Sequence, residues 1–502
     1  MSEKQQKSQS RSQPSPEAFR SFIAAGWAPR SDDRPGRADV ADFAAKRRAA
    51  VSQAFPGERL VIPAGGLKVR SNDTDYIFRP HSAFAHLTGL GADREPDAVL
   101  VLEPREGGGH DAVLFFRPLA GRDTEEFFAD SRYGEFWVGR RPTIEDIEAE
   151  LGISARHIDE FADAVAKDAG EIGVRVVRDA DSDVTAAVEQ ARASETEAEG
   201  SAEQRAEADE EFARLLSTLR LVKDAFEIEQ MREAIAATAE GFEAIIAELA
   251  EAVRRGRGER WLEGSFGLHA RHRGNGVGYE SICAAGDHAN TLHWIKNTGD
   301  VREEDLVLVD AGVEVDSLYT ADITRTLPVD GTFDEAQRKV YQAVYAAQQA
   351  GIAAVKPGNK FSDVHAAAIR VIAEHLFEWG LLPDGVDVEA TLDKETGQFH
   401  RRWMVHGTSH HLGIDVHDCA LALREDYMDA ELKPGMILTV EPGLYFKADD
   451  ELVPQELRGI GVRIEDDLLV TDDGHEVLSS AIPSELADVE AWIARVRGGA
   501  PA

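Results

Sequence analysis

Four carboxylates lie at or inside apolar, strand-prone segments of this chain. Asp310 ends the run LVLVD, Asp322 sits in YTADITRT, Glu441 in ILTVEPGLYF and Glu465 in GIGVRIEDDLLV. An isolated carboxylate in such surroundings costs several kcal/mol unless a cation or hydrogen-bond donors compensate it. These segments contain few basic residues, chiefly Arg325 and Arg463. A fifth group comes from the stretch HGTSHHLGIDVH, which places four histidines within residues 406–417, His410 among them. Four carboxylates and one imidazole suit hard divalent cations such as Mn²⁺ or Co²⁺, and fit poorly with copper or a structural zinc. Four negative charges also balance two divalent ions. Two metals about 3.5–4 Å apart can acidify a water and polarise a scissile carbonyl. Singly, an aspartate at a strand end is more often a turn or cap residue, and a lone histidine is more often structural. Together and in order, the five point to a metal-dependent hydrolase.

The rest of the chain bounds what carries these groups. It has 502 residues, which predicts two domains. An apolar share of 43% and an aromatic share of 7% are ordinary for a soluble globular protein. The net charge of −37 argues against nucleic acid, which needs concentrated Lys and Arg. No run approaches the roughly 18 apolar residues of a membrane span. The polar start MSEKQQKSQSRSQPSP carries no apolar secretory segment. Two distant cysteines, Cys283 and Cys419, predict neither a disulfide framework nor a thiolate zinc site, and fit a reducing cytoplasm.

Residues 1–36 are rich in Ser, Gln, Arg and Pro and predict a disordered tail. Within 37–180 the runs 99–103 (VLVLE), 112–116 (AVLFF) and 173–177 (GVRVV) predict short buried strands of a mixed α/β domain. Residues 181–215 are dominated by Ala, Glu, Ser and Asp, and predict a solvated helix or connector. A second domain is predicted from 216 to 497. It opens with a helix in which Ile228, Met231, Ile235, Phe242, Ile245 and Leu249 form one apolar stripe. Further along, 306–309 and 437–440 predict strands. Residues 332–335 (TFDE) predict a capping box opening a helix that stops near Lys356-Pro-Gly358.

The stretches VDAGVEVDSLYTADITRTLPV, HGTSHHLGIDVHD, ILTVEPGLYF and RGIGVRIEDDLLV resemble those of Xaa-Pro aminopeptidase, or aminopeptidase P. That family belongs to the pita-bread metallopeptidases, with prolidase, methionine aminopeptidase and creatinase. SNDTDYIFRPHSAFAHLTG resembles the family's N-terminal domain, and the resemblance covers nearly all the chain from about residue 40. It implies an α/β (α+β) architecture, with a mixed α/β N-terminal domain followed by a pita-bread catalytic domain. By position, Asp310 would hold one metal, His410 and Glu441 the other, and Asp322 and Glu465 would bridge the pair. His293, in CAAGDHANTLHW, matches the substrate-side histidine. His406 and His417 would line the pocket, with His417 assisting carbonyl polarisation or leaving-group protonation. Arg463 would orient a bridging carboxylate or contact substrate, and Tyr445 is a weaker pocket candidate. One departure is visible: Asp310 and Asp322 lie twelve apart where the family pattern has eleven, and Asp316 is the nearby substitute.

The implied activity is release of the first residue from peptides with proline in second position, with two divalent ions, Mn²⁺ foremost and Co or Zn as alternatives. The implied partners are N-terminal Xaa-Pro peptides and, by family habit, a second copy or more in a homodimer or homotetramer. A prolidase acting on Xaa-Pro dipeptides is the nearest rival. Methionine aminopeptidases usually lack this N-terminal domain, and creatinase lacks the metal ligands. An inactive pita-bread binding module is the non-enzymatic alternative.

Overall fold

The computed structural model describes residues 15–193 and 201–498. The chain divides into two compact units, one of Met1–Leu67 with Glu95–Glu199, the other of Lys68–Arg94 with Gly200–Ala502.

The first unit is built on a five-stranded sheet. Its order is Ser154–His157, His110–Phe116, Val99–Pro104, Arg59–Pro63, Val174–Val176. The three inner strands pair antiparallel and the two outer ones parallel to their neighbours. Val99, Leu100, Val101 and Leu102 are all buried, so both faces of this strand are covered and its sequence shows no alternation. The expected tail is partly structured. Glu17–Ala24 is helical, and Phe19 packs edge-on against Phe128 at 5.4 Å. Phe19, Phe22 and Ile23 supply the apolar surface that the Ser- and Gln-rich start lacks; residues 1–14 lie outside the described residues. The acidic stretch forms two helices, Ser182–Ala193 and Ala202–Thr218, with 194–200 between them outside the described residues.

The second unit departs from the expected contiguous span, because Lys68–Arg94 packs with it. The reason is ionic. Arg79 donates to Glu314 at 2.9 Å and to the Ile414 carbonyl at 2.7 Å, and Ser82 donates to Asp415 at 2.6 Å. The striped helix is Ala225–Arg255, capped by Asp224 with Glu227 closing the box. Met231, Phe242, Ile245 and Leu249 are wholly buried along it. The helix predicted to open at 332–335 begins instead at Glu335, with Asp334 as its cap. Asp334 accepts from the Gln337 amide at 2.8 Å, and the Gln337 side chain returns to the Asp334 amide at 3.0 Å. Thr332 is turned the other way, its amide and its hydroxyl both directed to Asp330.

Two three-stranded sheets position the chemistry. One has Leu306–Ala311 between Ile282–Ala285 and Ile323–Pro328; the other has Asp466–Val470 between Ile437–Val440 and His475–Val477. In the first, Asp310 stands opposite Thr324. Asp322, two residues before Thr324, therefore shares the face of Asp310. Between the two aspartates the chain makes a turn after the short strand Val313–Glu314. There Val315 N–H bonds Tyr319 at 3.0 Å, and Leu318 sits at φ +76°. That left-handed backbone costs roughly 1 kcal/mol for a leucine, set against full burial of its side chain. Asp316 is exposed in this turn, away from Asp322.

Candidate metal centre

The ligand atoms of Asp322, His410 and Glu465 lie within 4.8 Å of one another, and all three residues are largely buried. His410 Nε2 is 3.3 Å from Asp322 Oδ2, and 3.9 Å from both Glu441 Oε1 and Glu465 Oε1. Asp310 joins through a shared partner, since the Tyr279 hydroxyl lies 2.8 Å from Asp310 Oδ1 and 2.5 Å from Asp322 Oδ1. All five expected ligands thus converge from four strand ends and the 406–417 loop.

Four carboxylates meet here with one guanidinium, that of Arg463, in direct contact. Burial pushes Glu465 well above the usual carboxylate range, and the charges of Asp322 and Glu441 push it further. Burial likewise raises Glu441 to about 8, against the pull of His410 and Arg463. Asp310 is raised by burial despite Arg463. Burial alone would lower His410, but its hydrogen bond to Asp322 and that charge outweigh it and bring the imidazole to about 9. A cluster that retains protons against the ordinary acidity of its members is short of positive charge. Divalent cations supply that charge, and hard oxygen donors with one imidazole match their chemistry. The residues present fit such ions.

Arg463 pairs with Asp310, not with one of the expected bridging carboxylates. Its Nη1 also lies 3.2 Å from the Tyr445 hydroxyl and its Nε 3.2 Å from Thr324 Oγ1. Thr324 in turn donates to Glu465 Oε2 at 2.7 Å, so Arg463 reaches Glu465 through a hydroxyl. Tyr445 and His406 share a 2.7 Å hydrogen bond at His406 Nε2. Burial first, and then the Arg463 charge, lower His406 to about 3, so its ring is neutral. His417 stacks edge-on to His410 at 4.5 Å and is lowered by burial and by His410. His293 stands exposed on the stretch between Ala285 and Gly299.

Several supporting groups were not foreseeable. Tyr279 precedes the buried strand Ile282–Ala285 and carries no local signal, since its two partners are 31 and 43 residues away. Asp467 sits behind Asp322, accepting its amide at 3.2 Å, and burial raises this carboxyl well above its ordinary value. Arg325, wholly buried, donates to the carbonyls of Thr324, Glu465, Ile482 and Pro483 and to Asp466. It fastens the strand bearing Asp322 to the strand that follows Glu465. The loop carrying His410 and His417 is anchored by Asp418, which accepts from Arg220 at 2.9 Å and Lys223 at 3.2 Å.

The model of Metallopeptidase family M24 matches residues 229–472, and that of the Aminopeptidase P N-terminal domain matches 44–174. Xaa-Pro aminopeptidase 2 of Streptomyces coelicolor is 50% identical over 477 residues, 95% of this chain and 96% of the relative. The Xaa-Pro aminopeptidase of Escherichia coli is 33% identical, covering 91% of this chain and 98% of the relative. Among solved structures, Pseudomonas aeruginosa aminopeptidase PepP superposes with a TM-score of 0.78 at 30% identity, covering 91% of this chain and 98% of that one. Zinc-substituted E. coli aminopeptidase P in complex with product gives 0.77 at 30% identity, covering 93% and 100%. The chain belongs to the aminopeptidase P group of metallopeptidase family M24, hydrolases with a pita-bread catalytic domain.

Proposed function

We propose that the chain is a dinuclear-metal aminopeptidase that releases the N-terminal residue from peptides with proline in second position. The convergence of Asp322, His410 and Glu465 carries this proposal, supported by likeness to Xaa-Pro aminopeptidases along 95% of the chain. Asp310 would hold one cation, His410 and Glu441 the other, and Asp322 and Glu465 both. Manganese suits these hard donors, with cobalt or zinc as substitutes. When bound, the cations supply Lewis-acid polarisation of the peptide carbonyl and acidify a water.

The protein's own groups do the rest. Neutral His417 can present an N–H to a carbonyl oxygen, whereas the single N–H of neutral His406 is given to the Gly407 carbonyl, so its Nε2 accepts from Tyr445 and holds that phenol in place. The nitrogen of an Xaa-Pro bond has no hydrogen to donate, and like any amide nitrogen it must gain a proton as it departs. His417 or Glu441 would manage that proton. His293 would meet substrate from the 285–299 loop. Arg463 keeps Asp310 and Tyr445 oriented. The proposal also places the enzyme in the cytoplasm, consistent with Cys283 and Cys419 as buried free thiols, and in a homodimer or homotetramer. Among the described residues no helix is long and apolar enough to cross a membrane.

The test is to dialyse the protein against chelator, restore Mn²⁺, and assay an Xaa-Pro-Xaa tripeptide beside an Xaa-Pro dipeptide. Manganese-dependent release of the first residue from the tripeptide, with little dipeptide cleavage, is the expected result. Preference for the dipeptide would make the chain a prolidase on the same site. No turnover of either, with metal bound, would leave an inactive binding module.

A further inference from the structure

Glu259 lies in the first turn of the helix Gly258–Arg273 and is wholly buried. Its carboxylate meets four donors. Oε1 accepts from the Ala285 amide at 2.9 Å and lies 2.7 Å from His288 Nδ1. Oε2 accepts from Trp294 Nε1 at 2.8 Å and from the Gly299 amide at 2.5 Å. The two amides mark the two ends of the loop that bears His293, and the two side chains come from within it. One carboxylate therefore closes the loop and grips its middle.

The surroundings are built to the same end. His288 and Trp294 stack on each other at 3.9 Å, both with a ring nitrogen at the carboxylate. A Cβ on Gly299 would lie 2.8 Å from Glu259 Cδ and 2.7 Å from His288 Cε1, so no side chain fits where the amide must approach. Asn297, at φ +45°, accepts from the Cys283 amide at 2.9 Å and donates to the Ser281 carbonyl at 2.8 Å, tying the returning chain to its strand. His293, next to Trp294, has no such tether of its own. The path of the chain at His293 is therefore set by its neighbours.

We propose that Glu259 is a positioning residue for His293, holding the 285–299 loop so that this imidazole meets substrate. The inference rests on the proposed substrate-side role of His293. Only a carboxylate serves, because it is acceptor-only with four lone-pair positions for four donors. An amide of the same shape would turn its NH₂ against two of them.

The test uses the full-length, manganese-loaded enzyme with Glu259→Gln, His293→Ala and the double variant, measuring kcat and KM on an Xaa-Pro-Xaa tripeptide, metal per chain and thermal melting. Glu259→Gln is expected to lower kcat/KM by about 100-fold, as misplacement of a reacting group by about 1 Å does, with metal content retained. The double variant is expected to match His293→Ala within about twofold. Trp294→Phe, which removes a single donor, covers the case in which Glu259→Gln fails to fold. It should lose activity in the native background and none in the His293→Ala background. Multiplicative losses in the double variants would overturn the proposal, as would full activity of Glu259→Gln. An unchanged His293→Ala would remove its premise, leaving metal binding and Xaa-Pro turnover intact.

Discussion

The phenolic oxygen of Tyr279 sits 2.5 Å from Oδ1 of Asp322. The same oxygen is 2.8 Å from Asp310, and one hydroxyl has one proton to give. Burial first, and then the two aspartates, push this phenol well above its ordinary value, so it stays a donor. Tyr279 thus sets the spacing of two expected ligands that stand on different strands. Tyr279→Phe keeps the ring and removes the hydroxyl. It should weaken metal binding by about 10–100-fold, the usual effect of losing a group that orients ligands. Calorimetric titration of chelator-stripped protein with Mn²⁺ checks this, and unchanged affinity would deny the phenol that role.

Glu441 links metal content to acid stability. Burial raises it to about 8, whereas the unfolded chain titrates near 4.3. The folded state then binds the extra proton between those values. Its contribution to stability is fully present below about pH 4 and is lost as pH rises through about 8. Metal-stripped protein should therefore melt lower at pH 8.5 than at pH 6.5. Manganese replaces those protons with cationic charge, so the loaded protein should lose less over the same interval and melt higher throughout. Melting curves of both forms across that range decide the matter; a stripped form that gains stability as pH rises contradicts the sign.

Lys223 has no exposed side-chain surface and lies 3.2 Å from Asp418, which is also buried. Burial alone would raise Asp418, but Arg220 and Lys223 hold it below the ordinary carboxylate range. Lys223→Met leaves that carboxylate with one cation and should destabilise the protein by about 3–5 kcal/mol, read from urea unfolding. Lys223→Met with Asp418→Asn removes both charges and should recover part of the loss. Equal stability of wild type and single variant would show the pair to be idle.

Much of this architecture could be read from residues alone, for physical reasons. The strands at 99–104 and 306–311 announce themselves because burial on both faces demands an unbroken apolar run. The five expected ligands stand out because a carboxylate in such a run needs a reason. Glu259 and Tyr279 gave no warning, since their meaning lies in partners 26 to 43 residues away and an isolated Glu in a helix reads as a wet face. The helix cap at Asp334 was missed by two positions because Thr and Asp both cap well, and only the Asp330 contact decides between them. The early segment Lys68–Arg94 belongs with the later unit through ion pairs spanning 235 and 336 residues, which no local pattern encodes.

That last feature sets a timetable for synthesis. Arg79 leaves the ribosome long before Asp415, its partner 336 residues later. At about 5–20 residues per second the interval is roughly 17 to 67 seconds. Throughout that time the Arg79 segment lacks part of its native seat, since Glu314 is made 235 residues after Arg79 and Asp415 336 residues after it. A nascent chain of this protein must therefore carry an unsettled loop through most of its translation, and slowing or stalling late codons lengthens the exposure of an early segment.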